Sequence, residues 1–61
     1  MPQVLTAHTY GTHIYMKLRT DSGKLGEIDV FLCEQGETYL TSADNNPDLR
    51  AEIIEAFNCL Y

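Results

Sequence analysis

Sixty-one residues make one small domain (1–61), with room for a single sheet and a single helix around a core that buries only about 60% of the unfolded surface. Hydrophobic content of 44% excludes a disordered chain. A net charge of −5 argues against a nucleic-acid binder, which needs a basic stripe, and against an anionic membrane surface. The charge is uneven: residues 1–20 hold no acid and two bases, Lys17 and Arg19, while residues 21–61 hold all nine acids against Lys24 and Arg50. The longest apolar run, Val30-Phe31-Leu32-Cys33, is too short for a signal-peptide core or a membrane span, so the expectation is a cytoplasmic protein. Cys33 and Cys59, without C-x-x-C spacing, read as reduced thiols packed as small apolar groups.

In chain order, "QVLTAHTY" (3–10) suits a strand, and Gly11 marks a turn or bulge. "HIYMKLRT" (13–20) alternates, with Ile14, Met16 and Leu18 on one face and His13, Tyr15, Lys17 and Arg19 on the other. "DSGK" (21–24) is a turn, after which "LGEIDVFLC" (25–33) alternates again. Pairing Leu18 with Ile28, Met16 with Val30 and Ile14 with Leu32 gathers six apolar side chains on one face of a hairpin. The same register sets Lys17 against Asp29, Arg19 against Glu27, Tyr15 against Phe31 and His13 against Cys33. "EQGE" (34–37) is a further turn and "TYLTS" (38–42) a short strand, with Leu40 rather than Tyr39 expected to face the core.

Asn46 is a good N-cap, Pro47 fits the first helical position, and Asp48 complements the helix dipole. Leu49, Ile53, Ala56, Phe57 and Leu60 recur at helical spacing and form the stripe that should lie on the sheet. The fold class is α+β: a three- to four-stranded antiparallel sheet with one C-terminal helix packed on one face.

Asp48, Glu52 and Glu55, spaced four and then three apart, stack along one helix flank. Asp44 precedes the helix, and Glu34 and Glu37 lie in the turn before it, which together suggest a band of six carboxylates. Spaced carboxylates can imitate a row of phosphates and so occupy a groove built for nucleic acid. An acidic chain of this length, a small sheet plus a helix bearing "DLRAEIIEAF", resembles the small inhibitors encoded by phages and other mobile elements, of the anti-CRISPR and DNA-mimic type. The resemblance implies a non-enzymatic inhibitor that presents its acidic surface to a basic nucleic-acid-binding protein, such as a CRISPR effector complex, in the host cytoplasm. It would bind no nucleic acid itself.

The alternative is a small regulatory or adaptor domain that binds a protein partner through the sheet face away from the helix, where Tyr15 and Phe31 form an aromatic pair. A homodimer through that face is also compatible with the pattern. Catalytic and metal-binding readings are weaker. His8 and His13 lie five apart and reach a common face only if Gly11 turns the chain, and zinc would need a third ligand. Cys33 adjoins Glu34, the wrong setting for a lowered thiol pKa. No glycine loop or nucleophile elbow is present. No catalytic residue, metal ligand or cofactor is therefore assigned.

Overall fold

The computed structural model describes residues Met1–Tyr61. Four strands, β1 (Gln3–Tyr10), β2 (His13–Arg19), β3 (Leu25–Cys33) and β4 (Gly36–Thr41), precede one helix, α1 (Pro47–Leu60). They form an antiparallel meander in the order β1-β2-β3-β4, with α1 packed mainly across β2, β3 and β4. The N-terminal segment is thus a full member of the sheet. It is nonetheless an edge strand, and every one of its residues is exposed.

The core is one cluster of nine buried side chains: Ile14, Met16 and Leu18 from β2, Ile28 and Val30 from β3, Ala43 from the connection, and Ile53, Ala56 and Phe57 from α1. Leu49, Ile54, Leu60 and Tyr39 pack round its margin. Full burial of each large aliphatic or aromatic side chain is worth about 1.5–3 kcal/mol, so these few residues supply most of the driving force. The helix begins as its sequence dictates. The Asn46 side chain accepts from the Leu49 backbone N–H at 3.3 Å, Pro47 occupies the first turn, and Asp48 lies beside the exposed N–H groups.

The β2–β3 register differs from the expected one by two residues. Met16 lies opposite Ile28, Ile14 opposite Val30, and Leu18 opposite Gly26. A two-residue slip keeps every side chain on its expected face, so alternation alone does not distinguish the two registers. Glycine opposite Leu18 makes room for the helix: a Cβ on Gly26 would lie 2.6 Å from both Cγ1 and Cδ1 of Ile53. The loop is accordingly longer, closed by the Thr20 N–H donating to Lys24 O at 2.8 Å and the Gly23 N–H to Thr20 O at 2.9 Å, with Gly23 at φ +88°. Leu32, expected in the core, pairs with Glu37 and remains exposed.

The β4 side is corrected as well. Tyr39, opposite Val30, is the residue that faces the core, and its ring meets Phe57 edge-on at 6.2 Å. Leu40 is exposed. The turn is the two residues Glu34-Gln35, ended by Gly36 at φ +124°, a conformation that favours glycine.

Candidate protein-binding surfaces

The six carboxylates of the expected acidic band do not form one row. Glu52 turns toward the β2–β3 turn, where it accepts the Ser22 hydroxyl and lies 3.9 Å from the Lys24 ammonium. The Ser22 and Thr20 hydroxyls, with Lys24 beside them, hold its pKa below the usual carboxylate value. Asp44 is more firmly engaged. Its Oδ1 accepts the Thr41 backbone N–H at 3.0 Å and the Thr41 hydroxyl at 2.9 Å, and it pairs with Arg50 Nε at 3.2 Å. The Thr41 bonds, followed by Arg50, hold Asp44 below its ordinary pKa. Arg50 thus neutralises one member of the band.

Glu37 accepts the Tyr39 hydroxyl, and Glu34 lies in the β3–β4 turn. That turn is at the opposite end of β3 from the Ser22 and Lys24 contacts of Glu52, and nine strand residues span roughly 27–30 Å. Asp48 and Glu55 project into solvent. What converges is a smaller set: Asp21, Glu52 and Glu55 share the wall of one surface concavity with Ser22, Pro2 and Cys59.

The pKa directions fix a pH dependence. A carboxylate whose folded pKa is depressed adds stability above its unfolded pKa, and this contribution is lost as pH falls through the folded value. Stability should hold from pH 7 down to about 5 and drop below about 4, the unfolded carboxylate range. Asp44→Asn should remove part of that acid-side slope, read as the thermal midpoint by circular dichroism across pH. A slope identical to that of the parent chain would show that the Thr41 and Arg50 contacts contribute nothing.

The opposite face of the sheet is open, because the helix covers only one side. Here the chain turn reunites residues whose sequence spacing is odd. Gly11, at φ +59°, and Thr12 make a two-residue turn that sets Tyr10 opposite His13 and His8 opposite Tyr15. With His13 opposite Phe31, all five rings share this face. They form a continuous row, with His8–Tyr10 centroids at 6.0 Å, His8–Tyr15 at 6.3 Å, Tyr10–His13 at 6.1 Å and His13–Phe31 at 4.5 Å with planes 2° apart. His13 thus stacks on Phe31 rather than facing Cys33, and Tyr15 faces Asp29 rather than Phe31.

Polar bonds hold the rings in place. His13 Nε2 bonds Asp29 Oδ1 at 2.7 Å, and the Tyr15 hydroxyl donates to Glu27 at 3.0 Å. That bond is the main reason the phenol pKa is raised. The charged residues of the face, Lys17 and Arg19 against Glu27 and Asp29, balance. Tyr10, Leu25 and Leu40 are the most open apolar members, at 63%, 53% and 49% exposure. Of the ring residues, Tyr15 and Phe31 were legible as interface candidates from strand alternation. The same alternation places His13 on their face, whereas Tyr10 and His8 needed the Gly11-Thr12 turn, for which Gly11 was the available signal.

No three His, Cys, Asp or Glu side chains converge as a metal site would require. Cys33 and Cys59 are free thiols but both are exposed, at the end of β3 and in the last turn of α1, rather than packed as small apolar groups. No helix is long and apolar enough to cross a membrane. Comparison with protein-family models, with curated proteins and with solved structures finds no match to the chain.

Proposed function

We propose that this chain is a non-enzymatic protein-binding module, a small regulatory or adaptor domain that docks a protein partner on the open face of its sheet. The observation that carries the reading is the unbroken row of five rings, His8, Tyr10, His13, Tyr15 and Phe31, on a face that nothing in the chain covers. Aromatic side chains held in one geometry lose little entropy on binding and dominate the energetics of interfaces. An open antiparallel sheet with stacked rings is also a way to hold single-stranded nucleic acid, but that mode needs a basic groove. Here the face has balanced charge on a chain of net −5, so a protein partner fits better.

A second reading keeps the anionic surface: an inhibitor of the DNA-mimic type that grips a basic nucleic-acid-binding protein through Asp48 and Glu55 with Asp21 and Glu52 nearby. Its support is the convergence of Asp21, Glu52 and Glu55 on one concavity, together with the absence of an ion-pair partner for Asp48 and Glu55.

One experiment separates the two. A partner captured by the parent chain from a lysate of its source cells is challenged with Tyr15→Ala/Phe31→Ala and with Asp48→Lys/Glu55→Lys, each checked for folding. The docking reading expects the ring variant to lose at least about 30-fold in affinity, the loss of a hot-spot side chain, with weak salt dependence. The charge-reversed variant should bind as before. The opposite pattern, with affinity falling steeply as salt rises, would replace the docking reading with the inhibitor one.

A further inference from the structure

The two edges of this sheet are finished differently. On β4, edge groups are already occupied: the Thr41 N–H donates to Asp44 at 3.0 Å, and Tyr39 O accepts Arg50 Nη2 at 3.2 Å. A charged pair thus seals that edge against further strands. On β1 no side chain does this. Its eight residues, "QVLTAHTY", contain no Lys, Arg, Asp, Glu or Pro, and all are exposed. In an antiparallel ladder every second residue turns its N–H and C=O away from its neighbour, so β1 presents a row of unmade hydrogen bonds. Soluble proteins ordinarily blunt such an edge with charge, proline or a covering segment. The single bulge, between Val4 and Thr6, sits near one end and leaves Thr6–Tyr10 regular.

We propose that β1 is the self-association edge of this protein, pairing antiparallel with β1 of a second copy to give a continuous eight-stranded sheet. Charge selects the occupant. Two chains of net −5 repel wherever their acids meet, and residues 1–20, with no acid and only Lys17 and Arg19, are where two copies approach with least opposition. The size of the fold points the same way. A core of nine side chains, without a disulfide and without a converging set of metal ligands, lacks two of the usual supplements to small scaffolds, and oligomerisation is another.

Pairing over Thr6–Tyr10 centred on His8 sets Ala7 of one copy opposite Thr9 of the other. The two-fold axis then stands perpendicular to the sheet, so both helices lie on one side. Both ring rows lie on the other, joined into one aromatic surface. This inference is independent of what docks on that surface.

The test is mass in solution by light scattering over a dilution series, for the parent chain and for Ala7→Lys/Thr9→Lys. The substitutions put lysines directly opposite one another across the proposed pairing and leave the ring row untouched. The parent chain is expected at twice 6.9 kDa, and the variant at 6.9 kDa with an unchanged circular dichroism spectrum. In the parent dimer, the Ala7 and Thr9 amides should be protected from hydrogen exchange. A parent chain that stays monomeric to millimolar concentration overturns the proposal and leaves the edge to a strand of another protein. So does a dimer that survives both lysines with Ala7 and Thr9 amides exchanging freely, since the copies would then meet on another face. If instead the variant unfolds, amide protection in the parent dimer decides: protected Ala7 and Thr9 support the pairing and free exchange rejects it.

Discussion

Phe57→Ala is expected to lower the free energy of unfolding by about 3–5 kcal/mol, the range for removing a buried aromatic side chain. Natural domains carry roughly 0.05–0.15 kcal/mol of stability per residue, so 61 residues correspond to about 3–9 kcal/mol, and this one change takes much or all of it. The reason lies in how α1 is held. Phe57 is buried between the sheet and the end of the helix, edge-on to Tyr39 at 6.2 Å and stacked on Tyr61 at 5.2 Å. The last helical turn has no basic side chain to complement the dipole, so that end is kept on the sheet by packing rather than by charge. Urea denaturation should show the variant largely unfolded or with a much reduced midpoint, and Phe57→Leu between it and the parent. A loss below about 1 kcal/mol would mean that the helix end is not seated on Tyr39.

Losing the helix would expose the inner face of the sheet but would not directly remove the ring row on the outer one. The two candidate surfaces therefore have different structural bases. The ring row is set by strand pairing, through the Tyr10–His13, His8–Tyr15 and His13–Phe31 pairs. The concavity of Asp21, Glu52 and Glu55 exists only while α1 sits against the β2–β3 turn, because Glu52 is positioned by Ser22 and Lys24. A partner of the outer face should tolerate modest helix mutations, whereas a partner of the acidic wall should not. This follows from topology and separates the two readings without altering either surface.

What the sequence revealed, and what it hid, follows from the period of a strand. Alternation assigns each side chain a face, so Ile14, Met16, Leu18, Ile28 and Val30 were legible as core, and the helical stripe Leu49, Ile53, Ala56, Phe57 and Leu60 was legible as its lid. Alternation cannot distinguish registers two residues apart, and the ion pairs expected across the hairpin were displaced for that reason. A one-residue difference in turn length does swap faces: Leu40 inside needs a loop one residue longer or shorter, and the two-residue turn that Gly36 ends puts Tyr39 there instead. The acids were harder still. Their spacing on a helix was readable, but the partners that occupy Asp44 and Glu52 come from Thr41, Ser22 and Lys24, and which loop lies against which helix turn is a tertiary fact. The bare β1 edge could be seen in composition alone, but only the Asp44 and Arg50 seal on β4 gives it a contrast.

Gly26 and Ile53 should show strong, opposite-signed coupling. Ile53 is fully buried, and a Cβ on Gly26 would stand 2.6 Å from two of its carbons and 3.4 Å from a third. Cγ1 sits one bond from the Ile53 Cβ, so the contact is relieved only by rotating χ1 away from its packed position or by lifting the helix. Gly26→Ala alone is expected to destabilise by about 1–3 kcal/mol through overpacking, and Ile53→Ala alone by about 2–5 kcal/mol through the cavity it leaves. Together they should cost less than their sum by about 1–3 kcal/mol, because the shortened side chain no longer meets the new methyl, which fills part of the void. Denaturant midpoints of the four chains complete the cycle. The outcome also reports on register. With Leu18 opposite Ile28, Gly26 would slide two residues outward toward Thr20 and clear of Ile53, and the two substitutions would then add to within about 0.5 kcal/mol. Additivity would therefore reject the pairing of Leu18 with Gly26, and with it the seat of the helix on the sheet.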